Sequence, residues 1–281
     1  MLHVAKFYSN ALTAQNGCLT GDFEGLWYTL WRKTMLYDNL MELVTNRRSI
    51  RRFQNNSIPD ELIEKIIDVA MQAPSGFNMQ PWEYFVVKDA ELRYKISGYM
   101  EDYWRQCVDM EQGREEWQGA KWKMDGLAHA DHDYSIAPVY IILYGDPRLK
   151  KGLPMGVRGD LFRENLIFNA SLANTFLYLH LAATSLGLAS QWISASQYPY
   201  ANNMIKQLLN IPMDFQIFDM AALGWPNLEV RPRFMRDKKE MVHYNVCKLE
   251  DFRSDDEVKD FINKARRWNV GTHSRKADSA E

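Results

Sequence analysis

Cysteine is scarce in this chain. Three thiols, Cys18, Cys107 and Cys247, stand far apart among 281 residues, and no CxxC pair exists. That excludes a disulfide framework and a thiolate metal site, and three reduced, structural thiols fit a reducing compartment. A charge of one sign is also lacking. Lys and Arg number 34 against 36 Asp and Glu, for a net charge of -2, which excludes a general nucleic-acid binder or a strongly anionic surface. No stretch approaches the roughly 20 uninterrupted apolar residues of a membrane span. The start, Met1-Leu-His-Val-Ala-Lys, lacks an apolar segment followed by a small-residue cleavage site, so no secretory signal is read there. The expected address is the cytoplasm, with neither membrane nor nucleic acid as partner. Repeats and low-complexity linkers are likewise missing.

What is present is an ordinary globular composition, 46% hydrophobic and 25% charged, large enough to bury a core without metal or disulfide support. A helix is expected near residues 22–45, within an aromatic and polar N-terminal extension. Pro59 then opens a helix whose Asp60 and Glu61 complement the dipole, and Leu62, Ile63, Ile66, Ile67 and Ala70 give it one apolar face. It must stop near Ala73, because Pro74 disfavours helical geometry before it. Strands are expected at 82–88, 139–144, 189–194 and 215–223, with helices at 161–186 and near 200–209. Residues 98–135 mix aromatics with charges and are broken by Gly113, Gly119 and Gly126. They are expected to be helical pieces joined by mobile turns. The alternation of helices and strands argues for one α/β or α+β domain with an insertion.

Three segments carry chemistry. Arg47-Arg-Ser-Ile-Arg-Arg-Phe53 puts four guanidinium groups and a hydroxyl in seven residues. Guanidinium forks suit a phosphate, although such a stretch alone reads as well as a solvated basic surface. Ala73-Pro-Ser-Gly-Phe-Asn-Met-Gln-Pro-Trp82 is a stiff loop running into a strand. Its glycine permits close approach of backbone to a ligand, and Asn78 offers donors and an acceptor to a planar heterocycle. Trp82 reads better as core. Leu223-Gly-Trp-Pro226 ends a strand, and a basic segment from Arg231 to Tyr244 follows, containing Arg233, Arg236 and His243. The pair His129 and His132 looks like metal ligands on paper, but no further ligand spacing supports it, so no metal is expected.

Together these segments closely resemble the nitroreductase family, from about residue 44 to about residue 245. The resemblance implies an α+β sandwich, a central mostly antiparallel sheet flanked by helices, in an intertwined homodimer with FMN at the subunit interface. It divides the chain into an extension at 1–43, an FMN-binding domain at 44–250 in which 98–135 form a variable insertion over the site, and a C-terminal helix and disordered tail at 251–281. Carried over by position, Arg47, Arg48, Ser49 and Arg51 match the phosphate and flavin-edge motif. Pro74, Ser75, Gly76 and Asn78 match the loop that reaches the flavin from the partner subunit. Arg236 matches the late phosphate-binding residue, with Arg233 as its helper. Ser194 and Ala195 match the strand end facing flavin N5, where many relatives have a glycine pair; Ser194 would bond N5 through its hydroxyl or only through its backbone N–H.

The implied activity is ping-pong reduction of electron-poor aromatic acceptors, nitroaromatics or quinones, by NAD(P)H, with no certain side-chain catalyst. Related branches leave two alternatives, reductive dehalogenation of the iodotyrosine deiodinase type and oxygen-dependent flavin fragmentation. A flavin-binding sensor or carrier of low turnover is the alternative from another class.

Overall fold

In this computed structural model residues 23–112, 136–227 and 234–271 are described. Two units are distinguished, Met1–Thr45 and Asn46–Glu281. Among its described residues the first unit holds one helix, α1, Phe23–Asn46, close to the helix expected at 22–45. Every element named below lies in the second unit.

Its sheet is four-stranded. Strand β1 is Trp82–Val87, β2 Val139–Gly145, β3 Ala189–Ile193 and β4 Gln216–Gly224. The order is β1-β2-β4-β3, and every ladder is antiparallel. All seven residues of β2 are buried, as a strand in the middle of a covered sheet requires. One face gathers Ile141, Leu143, Ala221 and Leu223 with helices α2 (Asp60–Ala70) and α4 (Leu161–Ser185). The opposite face gathers Tyr140, Ile142, Tyr144, Ile193 and Met220 with α3 (Ala90–Gln112) and α5 (Pro199–Leu209). A last helix, α6, spans Asp255–Gly271.

Residues 98–112 belong to α3, which runs unbroken through Gly98, and the glycines at which breaks are expected, Gly113, Gly119 and Gly126, lie outside the described residues. The start of α3 is set by Asp89, whose carboxylate accepts from Leu92 N at 2.9 Å, and this cap lies outside the segment read from the aromatics. Residues 113–135, with the expected lid and His129/His132, lie outside the described residues, as do 272–281 and the expected tail. Helix α4 is long and apolar enough to cross a membrane by length and composition alone. Half of its apolar window is buried inside the fold, and its buried face carries Ser171, Thr175 and His180, each hydrogen-bonded. Those polar groups have partners here that a lipid environment would not supply, so α4 reads as the core helix of the sandwich. It stops at Gly187, φ +75°, a left-handed position that favours glycine.

Candidate functional site

The arginine-rich segment is fastened at two points. Ile50 N donates to Ser190 O on β3 at 3.0 Å, and beyond it Gln54 N donates to Trp225 O at 2.9 Å and Asn227 N to Arg52 O at 3.1 Å. Ile50 and Phe53 point into the core. Phe53 fits because residue 224 is glycine; a Cβ there would meet the Phe53 ring at 2.6 Å. With the apolar side chains turned inward, Ser49 is exposed and Arg47, Arg48 and Arg51 are half-buried. Arg48 Nη1 bonds the Arg47 carbonyl at 2.9 Å.

Strand β3 continues from Ser190 to a turn. Ser194 follows the strand, exposed, and Ala195–Gln197 close one 3₁₀ turn through Gln197 N to Ser194 O at 3.0 Å. The Ser194 side chain makes no capping bond. Ser190 and Ser194 are four residues apart in extended chain, about 13 Å. One strand thus links the basic segment to the Ser194–Ala195 turn. Helix α3 reaches the same place from above: Tyr103 stacks on Tyr198 with centroids 4.3 Å apart, and Tyr99 meets Tyr200 edge-on at 6.1 Å.

The loop after α2 rests on α4. Gly76 N donates to Ser171 Oγ at 3.0 Å and Asn174 Nδ2 to Pro74 O at 3.0 Å. A Cβ at Gly76 would fall on Ile167, so only glycine lets the loop sit this close. Phe77, Asn78 and Gln80 have φ of 54°, 52° and 45°. Such left-handed conformations cost an L-residue roughly 1–3 kcal/mol each and cluster at functional sites. Phe77 is held exposed, and Trp82 is buried, as expected. The bonds of Arg236 stay local: Nη2 donates to Glu240 O at 3.0 Å, and the guanidinium lies 5.8 Å from the Phe261 centroid. Arg233 lies outside the described residues. The structure therefore brings Arg47–Arg51, Ser194 and Ala195 to one strand, and sets Pro74–Asn78 and Arg236 on other elements.

Sequence reasoning missed a polar cluster beneath this strand. His180 on α4 is 2% exposed; its Nδ1 lies 2.7 Å from Ser190 Oγ, and its ring stacks on Trp192 at 5.6 Å. Burial first, and the charge of Arg47 second, hold its pKa down at about 3, so it is neutral. Its Nε2 is buried and has no hydrogen-bond partner among the described residues. Trp192 Nε1 donates to Asp219, which is 3% exposed, and Gln197 Nε2 donates to Asp219 Oδ1 at 2.9 Å and to Phe218 O at 2.6 Å. Burial raises Asp219 to about 6, against the lowering effect of these two donors. One signal was available: a lone carboxylate in the apolar run Phe215–Leu223.

Chemically the site offers guanidinium and hydroxyl donors suited to a phosphate, an unpartnered imidazole nitrogen in the field of Arg47, and an exposed strand end. That donor set fits a phosphorylated cofactor.

Residues 44–225 match the family model described as nitroreductase family. A protein of Methanothermobacter thermautotrophicus, provisionally named NADH dehydrogenase/NAD(P)H nitroreductase, is 30% identical over 190 residues, 67% of this chain and 78% of its own. An iodotyrosine deiodinase of Haliscomenobacter hydrossis is 28% identical over 198 residues, 66% of this chain and 78% of its own. Among solved structures, a nitroreductase with bound FMN from Desulfitobacterium hafniense shares the fold at a TM-score of 0.55 and 23% identity, covering 73% of this chain and 97% of that one.

Proposed function

The chain belongs to the nitroreductase family of flavoprotein oxidoreductases, and from that premise we propose that it is an FMN-dependent enzyme carrying electrons from NAD(P)H to electron-poor aromatic acceptors such as nitroaromatics or quinones. The observation that carries this reading is the fastening of Arg47–Arg51 to β3, whose far end is the exposed Ser194–Ala195 turn. In this reading Arg47, Arg48, Ser49 and Arg51 hold the phosphate and the flavin edge, joined by Arg236 and Arg233. Ser194 and Ala195 face the ring, and Pro74, Ser75, Gly76 and Asn78 contact it from the second subunit of a homodimer. Bound there, FMN supplies electron uptake and release, chemistry that no side chain at the site provides. The chain's part is to bind, orient and shield the ring, and Tyr99 and Tyr103 of α3, packed against Tyr198 and Tyr200 beside the turn, favour planar acceptors. The free thiols Cys107 and Cys247 suit a cytoplasmic address.

An anaerobic visible spectrum tests the reading. A yellow protein that NADH or NADPH bleaches, and that a nitroaromatic or quinone recolours, is the expected result. No flavin after reconstitution with FMN overturns it. The deiodinase relative favours a second reading, reductive dehalogenation. Halide release from a halotyrosine by dithionite-reduced protein, with no bleaching by either nicotinamide, would put that reading first.

A further inference from the structure

Strand β4 is irregular where it runs beside the β3 turn. Leu143 pairs with Asp219 and Tyr144 with Ile217, so Phe218 has no partner across the ladder. This is a bulge, a device that re-aims side chains and frees backbone groups, and bulges collect beside active sites. Here it leaves the Phe218 carbonyl to accept from Gln197 and sets the Asp219 carboxylate between Gln197 and Trp192. Gln197 closes the turn that starts at Ser194, and Trp192 is two residues before Ser194 on the strand. We propose that Asp219 is a positioning residue for the site: through Gln197 and Trp192 its carboxylate fixes the turn that presents Ser194 and Ala195. The function of that turn rests on the reading above; the clamp itself does not.

The hydrogen-bond inventory shows why the ionised form is needed. The indole Nε1–H can only donate, and the Gln197 amide nitrogen already donates to the Phe218 carbonyl. Both therefore require an acceptor at residue 219. A protonated carboxyl loses its charge and part of its acceptor capacity, so the two charge-assisted bonds from Trp192 and Gln197 weaken. Flipping the Gln197 amide to accept the new proton would set its oxygen against the Phe218 carbonyl. Protonation thus loosens the clamp.

No charge in the described surroundings compensates. Gln197 comes from the turn, Trp192 from β3, Phe218 from β4, and Leu143 from the paired position of β2. From α4, Phe176 packs on Trp192 and Phe218, and His180 stacks on the indole, neutral across the working range. Burial raises Asp219 to about 6, and the clamp weakens below that pH.

The test is a pH series from 5 to 8 on the isotopically labelled full chain. It follows the Trp192 indole N–H, identified by its loss in Trp192→Phe, and the backbone amides of Ser194 and Ala195. All three should shift together with one midpoint near 6 in the wild type, and not at all in Asp219→Asn. Gln197→Ala, whose side chain is exposed and spares the core, should keep the indole titration while uncoupling the two amides. An indole that does not titrate, or amides of Ser194 and Ala195 that ignore it, overturns the proposal. These signals read without flavin, so their failure is distinct from a failure to bind FMN. In the FMN-loaded protein, kcat should fall with the same midpoint while the KM for nicotinamide holds. Gln197→Ala should lower kcat by roughly tenfold to a hundredfold, as misplacement of a reacting group does, and abolish the pH step. A loaded enzyme whose kcat profile is the same with Gln197→Ala overturns the positioning role.

Discussion

A buried imidazole beside an arginine makes acid costly. The folded chain holds His180 near 3, whereas an unfolded chain returns it to about 6.5. Between those values the unfolded state binds the extra proton, so stability is whole above pH 6.5 and drains away as pH falls toward 3. Asp219 works the other way. Its folded value, about 6, lies above the ordinary 3.8, so its contribution is fully present below 3.8 and is lost as pH rises through 6. The displacement at His180 is the larger, and the net effect in this window is loss in acid. His180→Gln keeps a polar group near Ser190 Oγ but cannot charge. Its melting temperature should fall less than that of the wild type between pH 6.5 and 4.5, by on the order of 5 °C. Parallel melting curves for the two proteins across this range would show that His180 is not the acid-sensitive group.

At the scale of elements, the loop from Pro74 to Trp82 depends on α4. Three left-handed residues in four positions would relax if the loop were free, and Ser171 and Asn174 hold it. Ser171→Ala strands the Gly76 N–H without its acceptor, at a cost of about 1–3 kcal/mol. A melting temperature lowered by several degrees is expected, together with weaker FMN binding, read by titrating flavin fluorescence. Unchanged FMN affinity at the lower melting temperature would separate the loop from the cofactor. Most of these elements were legible in the sequence. The Pro59 helix, the strand at 139–145, α4 and the glycine at its end follow from local periodicity and capping. The left-handed backbone at Phe77 was not, because contacts with a helix some 95 residues away in sequence fix it. The Asp219 clamp was hidden for a related reason: an aspartate in an apolar strand declares burial, but the bulge that gives it partners depends on strand pairing. The Arg47–Arg51 motif could be seen, whereas its anchorage to Ser190 requires the fold.

For the whole molecule, α4 raises the question of what covers its outer face. Its inner face is core, yet near its start Leu161 is 72% exposed, Phe162 76% and Leu166 57%. Phe162 and Leu166 stand four residues apart on one helix face, a place where the second subunit of the proposed homodimer could cover them. Farther along the same helix, Ile167, Ser171 and Asn174 carry the Pro74–Asn78 loop. A second copy docked on this face would stand close to that loop, which is the arrangement required if two subunits share each FMN. Phe162→Glu combined with Leu166→Glu sets charge into that face while leaving the buried residues Phe168, Leu172 and Phe176 untouched. If the proposed homodimer is built on this face, sedimentation should show the variant shifted toward monomer, and FMN affinity should fall at least roughly tenfold, the equivalent of about 1.4 kcal/mol. A variant still dimeric, with FMN affinity unchanged, would show that the subunits meet elsewhere. A monomer that keeps its FMN would show instead that one subunit holds the whole site, and that Pro74–Asn78 serves the cofactor of its own chain.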